Sequence, residues 1–562
     1  MTAHPWLASY PEGIDWHHMI DAKPVHTLLD ATAARFPEHT AIDFLGKSYS
    51  YSQLHRCMSH LTCGFRKHGI GKGSRIALLM PNCPQYVMSY FAALKAGATV
   101  VNINPLYSAN EVAHLLQDAE CDTVVVLALA TCYPKLKPLI EKGAIKKVIV
   151  GQLQDTMPPL KRFLFPLLKR KDICPLPAED KVHVHFCHLL RMHKEQEEEC
   201  EPPVIDPEND IAVLQYTGGT TGIPKGAMLT HASLYANTQQ ILVWAKDLEP
   251  GKQRTLGVLP LFHVFAMMTV LHIGVALGAT MILHPRFNLK SVLKDTSRKK
   301  PTILPGVPTM FAAIADAPDI SRYDLTSLKL CISGGAPLPA DVRRRFEKNT
   351  RAHLVEGYGL TEASPVVCAN PFFGKQKDGS IGLPLPQTEI AIEDPEKPEH
   401  FLPQGERGEL CVRGPQVMKG YWRRPYETDD VMIKEGWLRT GDIAYMDEEG
   451  YVFIVDRRKE MIISGGYNIY PRTIEEVLYK HPAVREAAVI GIPHPKWGQV
   501  PQAYIALAEG KSVTQQELHH YLRERLAAFE IPKEFIFRKD LPKTLIGKID
   551  KKVLQPKEDD HV

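Results

Sequence analysis

The densest group of residues able to do chemistry lies between Asp210 and Ala227, which reads D-I-A-V-L-Q-Y-T-G-G-T-T-G-I-P-K-G-A. Ile211 to Tyr216 is apolar except for Gln215, the pattern of a buried strand. Thr217, Gly218, Gly219, Thr220, Thr221 and Gly222 follow, with little side-chain bulk to hold a ligand away from the backbone. Lys225 comes next, on an arm stiffened by Pro224. Glycines let backbone N–H groups turn toward an anion, threonines add hydroxyl donors, and the lysine adds a point charge. The simplest ligand for that set is a polyphosphate. It is not a Walker loop, G-x-x-x-x-G-K-[ST], because Ile223 and Pro224 separate Gly222 from Lys225. A plain strand-to-loop turn uses the same glycines, so the rest of the chain must decide.

The elements that would position such a loop alternate along the chain. Helical spacing covers Ser52 to His68 and Pro84 to Lys95, and Ser108-x-x-Glu111 is a capping box that opens another helix. Arg75 to Met80, Thr99 to Ile103 and Asp122 to Leu127 read as strands between them. Such alternation predicts doubly wound, mainly parallel sheets. Further strands are expected at Leu256–Leu261, Ser327–Ser333 and His353–Val355. The last two run into glycine-rich turns, as expected where an open α/β sheet binds ligands at its strands' carboxyl ends. After Asp456-Arg457-Arg458-Lys459-Glu460 the pattern becomes a compact α+β unit. Thr473-x-x-Glu476 and Thr514-x-x-Glu517 are expected to cap its helices, with Leu518, Tyr521, Leu522 and Leu526 on one face of the second. The expected fold class is therefore α/β: a large N-terminal region, 1–456, and a small mobile α+β C-terminal domain, 457–562, hinged near Lys459.

Composition bounds the function. At 562 residues, 44% hydrophobic and 23% charged, the chain reads as globular. A formal net charge of +3, with no basic stripe and interleaved aromatics, points away from nucleic acid. The 11 scattered cysteines lack C-x-x-C pairs and read as reduced thiols of a cytoplasmic protein. The first residues show no signal-peptide pattern. Phe265 to Leu283 has no charged residue and is about long enough to span a bilayer. Its Gly278-Ala279-Thr280 break favours a buried helix followed by a buried strand instead.

Two stretches stay ambiguous in sequence. In Pro158–Asp172, P-P-L-K-R-F-L-F-P-L-L-K-R-K-D, basic residues bracket an apolar centre, which suits an anchor at an anionic membrane surface. Pro166 is expected to interrupt any helix there, and a surface loop over an apolar patch reads equally well. His183, His185 and Cys187 would share one strand face, with His188 beside them. No distant pair of metal ligands matches them, and an incidental histidine-rich strand is the simpler reading.

Seven motifs then occur in order from residue 216 to 548: Y-T-G-G-T-T-G-I-P-K-G (216–226), F-H-V-F (262–265), S-G-G-A-P-L (333–338), E-G-Y-G-L-T-E (356–362), G-W-L-R-T-G-D (436–442), D-R-R-K-E (456–460) and P-K-T-L-I-G-K (542–548). Each alone is a weak signal; together, in this order, they resemble the adenylate-forming superfamily of acyl-CoA synthetases, luciferases and peptide-synthetase adenylation domains. The likeness is greatest to bacterial long-chain fatty-acid–CoA ligases, and extends to the opening P-W-L-A-S-Y-P-E-G. Many superfamily members carry serine where this loop has Gly218; the fatty-acyl ligases often show glycine.

The resemblance implies two half-reactions with ATP, Mg²⁺ and coenzyme A. A carboxylate attacks the α-phosphorus of ATP, and the coenzyme's thiol then displaces AMP. It implies that Thr217 to Lys225 holds the outer phosphates. Gly334, Gly335 and Ala336, with Glu356, Gly357 and Tyr358, would frame adenine. Thr361 would meet the α-phosphate and Glu362 the Mg²⁺; Asp442, with Arg457, would meet the ribose. Lys548 would bridge carboxylate and phosphate, and His263 would border the acyl and thiol approach. Lys459 would mark the hinge, with Gly465 and Gly466 near the pantetheine tunnel. Taken singly, Asp442 reads as a turn aspartate, Thr361-Glu362 as a helix start, Lys548 as a surface lysine, and His263 as a packed ring. The alternatives left open are a ligase for medium, short or aryl acids, an acyl-AMP ligase, and a nonenzymatic nucleotide- or lipid-binding protein.

Overall fold

The structure is a computed structural model and describes residues 4–191, 201–217, 224–464, 467–543 and 549–555. Gly218, Gly219, Thr220, Thr221, Gly222, Gly465, Gly466 and Lys548 lie outside the described residues. The chain packs as two compact units, residues 10–389 with 413–432, and residues 1–9, 390–412 and 433–562.

The larger unit is built on two sheets. One has seven strands in the order His183–His185, Lys147–Gly151, Thr123–Leu127, Arg75–Leu79, Thr99–Asn102, Ile211–Thr217, Lys225–Thr230, all parallel except the last pair. The other has nine, with a parallel centre formed by His353–Gly359, Leu330–Ser333, Ile303–Gly306, Arg254–Gly257, Thr280–Leu283 and Thr40–Phe44. These are the doubly wound sheets expected from the alternation. Both faces of a parallel strand must be covered, which is why Thr123–Leu127 and Thr280–Leu283 are buried throughout. Helix Pro84–Lys95, started by proline in its first turn, is buried along nearly its whole length. Helices Tyr51–Lys67 and Ala109–Asp118 begin with complete capping boxes, Ser50 with Gln53 and Ser108 with Glu111.

Residues 264–276 form one buried helical run containing a π-helical stretch, Met267–His272, and lead into the buried strand Thr280–Leu283. Among the described residues no helix is long and apolar enough to cross a membrane. The described cysteines are all free thiols.

The second unit holds an antiparallel sheet containing Gly408–Arg413, Trp437–Met446 and Val452–Arg457. A further five-stranded sheet centres on Val484–His494 and Gly498–Leu507. Helices Pro471–Tyr479 and Gln515–Arg523 pack on the latter, burying Ile474, Leu478, Leu518 and Leu522 with Val489 and Ile505. Thr514 and Glu517 form the expected capping box.

Three local expectations are corrected. Pro166 does not interrupt a helix, because Pro159–Leu168 is helical through it. The proline sits in the last turn, and the acceptor left without its N–H is on an exposed residue that water can satisfy. Thr473 is not a cap; the helix starts at Pro471, whose fixed φ suits the first helical position, behind Tyr470. Cys187 does not share a strand face with His183 and His185, since the strand ends at His185 and helix Phe186–Leu189 follows.

Candidate active site

The carboxyl ends of three strands in the nine-stranded sheet carry three of the motifs. Arg254–Gly257 leads to Phe262–Phe265, Leu330–Ser333 to Gly334–Ala336, and His353–Gly359 itself contains Glu356, Gly357 and Tyr358. The three meet at one point. A methyl group on Gly334 would lie 3.0 Å from the Phe265 ring and 3.4 Å from the Gly357 carbonyl, a tight fit that a side chain would have to push apart. Gly335 has φ +80°, a conformation costly for other residues. His263 caps the short helix after it, its ring nitrogen accepting the Phe265 N–H at 3.3 Å.

A buried polar network fixes the approach to His263. Asn82 donates to the Leu259 carbonyl and accepts from Leu261 N–H, both at 2.7 Å. The Tyr86 hydroxyl lies 2.7 Å from the Asn102 side-chain oxygen and 3.0 Å from the Leu261 carbonyl, its one proton shared between these two acceptors. Gln215, on the strand before the glycine loop, donates to the Phe262 carbonyl at 3.1 Å and accepts from Asn102 at 2.9 Å. The loop-bearing strand and the His263 segment are thus held in one register. Buried amides with every partner in place are rigid, because moving any one leaves another unsatisfied.

Lys225 opens strand Lys225–Thr230, directly across from Thr217. Its ammonium lies 5.1 Å from the centre of the Tyr421 ring, within cation–π range. The Tyr421 hydroxyl donates to Glu362 Oε1 at 2.7 Å. Burial, and next the Glu362 charge, push the Tyr421 phenol well above its usual range, so it remains a donor. Chain pairing holds this triad: Lys419, Tyr421 and Trp422 dock along the 225–230 strand, and Met418 N–H donates to the Glu362 carbonyl at 2.7 Å. Thr361 and Glu362 occupy a single 3-10 turn, Thr361–Ala363. Asn237, fully buried on helix His231–Trp244, clamps the chain just beyond that turn, donating to the Val366 carbonyl at 2.7 Å and accepting its N–H at 3.0 Å.

In the other unit, Asp442 is buried and lies opposite Arg457, with Nε 3.4 Å from Oδ1. Its turn is held by Glu409, which accepts from Gly441 N–H at 3.1 Å and pairs with Arg458. Lys459 is exposed. Half-buried Lys551 pairs with Glu460 at 2.7 Å and Glu475 at 2.8 Å. Burial opposes its charge, but those carboxylates and Asp456 outweigh it and raise its pKa.

Lys225 and Glu362 are therefore brought together, as are the glycine turns with His263 and Tyr358's strand. Tyr421 and Asn237 escaped the sequence reading. The signals were a tyrosine in the run Gly420-Tyr421-Trp422, and an asparagine where a helix should be apolar. Near the histidine-rich strand, Glu179 adds a third group, its Oε2 2.8 Å from His188 Nδ1 and its Oε1 4.0 Å from His185 Nδ1.

The AMP-binding enzyme family model matches residues 29–422 and the AMP-binding enzyme C-terminal domain model residues 473–548. The chain belongs to this family and has the adenylate-forming fold. It is similar to the long-chain-fatty-acid–CoA ligase of Bacillus subtilis strain 168, at 43% identity covering 99% of both chains. The ligase of the same name from Escherichia coli O6:H1 is 37% identical, over 98% of this chain and 97% of that one. Among solved structures, ATP-bound MatB from Rhodopseudomonas palustris superposes with TM-score 0.79 at 28% identity, covering 94% and 98% of the two chains. The anthranilate CoA ligase AuaEII with anthranoyl-AMP gives TM-score 0.81 at 26% identity, covering 96% and 98%.

Proposed function

We propose that this protein is an acid–thiol ligase that converts a long-chain fatty acid, ATP and coenzyme A to acyl-CoA, AMP and diphosphate. A carboxylate oxygen bonds to the α-phosphorus as the bond to diphosphate breaks. The thiol sulfur then bonds to the acyl carbon and AMP leaves. The observation that carries the reading is full-length similarity to ligases of that name, in a chain whose Lys225 and Glu362 both meet Tyr421.

The first step brings two anions together, so positioned cations and donors must supply the stabilisation. Thr217 and Lys225, with Gly218 to Gly222, hold the outer phosphates. Gly334, Gly335, Ala336, Glu356, Gly357 and Tyr358 frame adenine, Thr361 meets the α-phosphate, and Asp442 with Arg457 meets the ribose. Glu362 fits Mg²⁺, since a carboxylate beside phosphate oxygens is the hard donor set that ion takes. One Glu362 oxygen is oriented by Tyr421. Bound there, Mg²⁺ neutralises phosphate charge. Lys548 steadies the reacting carboxylate and phosphate, and His263 borders the acyl and thiol path. A C-terminal domain, 457–562, turns about Lys459 between the steps, bringing Gly465 and Gly466 to the coenzyme. The reading places the protein in the cytoplasm, with peripheral contact at the membrane's inner face through residues 158–172.

Product analysis tests the chemistry. With acids from acetate to C18 and aryl acids, AMP, diphosphate and thioester are expected, fastest with long chains. ADP and phosphate would reject the reading, and a preference for aryl or short acids would move the substrate. Lys548→Ala should lose acyl-adenylate formation while keeping much of the thioester formation from supplied acyl-adenylate; equal loss of both would remove its role.

A further inference from the structure

Helix Pro159–Leu168 has the spacing of a core-facing helix turned outward. Leu160, Phe163, Leu164, Leu167 and Leu168 follow the i, i+3, i+4, i+7, i+8 pattern that normally seats a helix on a protein interior. At 3.6 residues per turn they cover an arc of roughly 140°. No residue of the helix is buried, and Leu160, Phe163, Leu167 and Leu168 are 70, 72, 68 and 76% exposed. The attachment to the body is on the opposite side. There Phe165 and Pro166 are partly covered, the Lys161 ammonium donates to the Leu45 carbonyl, and Arg162 pairs with Asp155 at 3.0 Å. Single exposed leucines are ordinary, but five aligned large apolar side chains mark a surface made for a partner.

The charges around the stripe identify that partner. Lys169, Arg170 and Lys171 at the helix's C-terminal end are all exposed, against Asp172 as the one acid between 158 and 172, while Lys161 and Arg162 are held on the body side. A protein groove would meet the apolar stripe with apolar side chains and leave this basic rim without a counterpart. A bilayer with anionic headgroups matches both: acyl chains take the leucines and phenylalanine, and phosphates take the cations. Ten residues of helix extend about 15 Å, too short to span, so the element lies in the plane of the interface.

We infer that helix Pro159–Leu168 is a reversible in-plane anchor that docks the protein on anionic lipid. The inference rests on this surface and deepens the ligase reading without depending on it, since a long-chain acid is itself concentrated in the bilayer. Two variants of the full chain test it. One carries Leu160→Gln, Phe163→Gln, Leu167→Gln and Leu168→Gln; the other carries Lys169→Gln, Arg170→Gln and Lys171→Gln, leaving the Lys161 and Arg162 attachments intact. The probes are vesicles of phosphatidylcholine with phosphatidylglycerol, and vesicles of phosphatidylcholine alone. The native chain should sediment with the anionic vesicles and bind the neutral ones about tenfold more weakly or worse. The apolar variant should fall to background, and the charge variant should lose about tenfold together with its sensitivity to salt. Because these side chains are exposed, melting temperatures should not move.

Equal anionic-vesicle binding by the native chain and the apolar variant overturns the inference, as does no binding by the native chain. A native dimer that the apolar substitutions turn into a monomer, without vesicle binding, also overturns it and assigns the face to a second copy. Acyl-adenylate formation from an acid dissolved below its aggregation limit should be equal in all three proteins. Its absence from all three would reject the ligase reading and leave the vesicle result standing.

Discussion

Tyr421 joins Lys225 and Glu362, the two charges on which the proposed chemistry depends. Its ring face receives the Lys225 ammonium and its hydroxyl orients the Glu362 carboxylate. A hydrogen bond to a charged group contributes about 1.5–3 kcal/mol, and part of that reaches the transition state if the carboxylate must be aimed there. Tyr421→Phe keeps the ring and deletes the donor. Acyl-adenylate formation, read by diphosphate exchange, should fall about tenfold with a raised requirement for Mg²⁺. The melting temperature should move little, because the exchange is almost isosteric. A loss independent of Mg²⁺ concentration would reject the positioning role. Lys225 and Glu362 stand out as candidates in the sequence because their motifs have fixed internal spacing. Tyr421 does not, because it reaches Glu362 from 59 positions away and a tyrosine between glycine and tryptophan reads as packing.

At the scale of elements, the chain just beyond the 361–365 turn is clamped by the Asn237 amide. Asn237 satisfies both backbone groups of Val366, and Ser233, one turn earlier, bonds to Ser364 at 3.1 Å. Asn237→Ala would strand the Val366 donor and acceptor, at about 1–3 kcal/mol for each group that water cannot reach. The expected result is a melting temperature several degrees lower and a larger proportional loss in adenylation, since the turn carries Thr361 and Glu362. Lower stability with undiminished turnover at permissive temperature would show that the clamp is structural only. Most elements were readable in sequence: hydrophobic period located Pro84–Lys95, and capping boxes located Ala109–Asp118 and Gln515–Arg523. The misreadings arose where a local rule met a competing constraint. Proline in a last turn costs little, a proline start displaced Thr473 as cap, and the outward-facing stripe on Pro159–Leu168 shows only in three dimensions.

At the scale of the whole molecule, the two units should answer acid in opposite directions. Burial lowers the pKa of His26 to about 4 and of His231 and His272 to about 3, and all three lie in the larger unit. His231 Nδ1 accepts the Val25 N–H at 3.1 Å, a bond that protonation there would break. Between pH 6.5 and about 4 the unfolded chain binds protons that the folded unit refuses, so stability falls as pH falls. The slope is up to ~1.4 kcal/mol per pH unit for each histidine. In the other unit, burial raises Asp456 to about 6 against the partial relief from Lys551. That carboxyl takes a proton on folding between about 4 and 6, so the same acidification stabilises its unit. Carboxylates held low, such as Asp30 and Asp295 at about 2, lose their stabilising charge only under stronger acid and leave this window clear. Hydrogen exchange at pH 7 and pH 5, corrected for intrinsic rates, should show faster opening at pH 5 in the strands around His231 and His272. The Val452–Arg457 strand should show unchanged or slower opening. His272→Gln should remove about a third of the pH slope of the larger unit's urea midpoint; an unaltered slope would mean that the buried imidazoles are not what acid attacks.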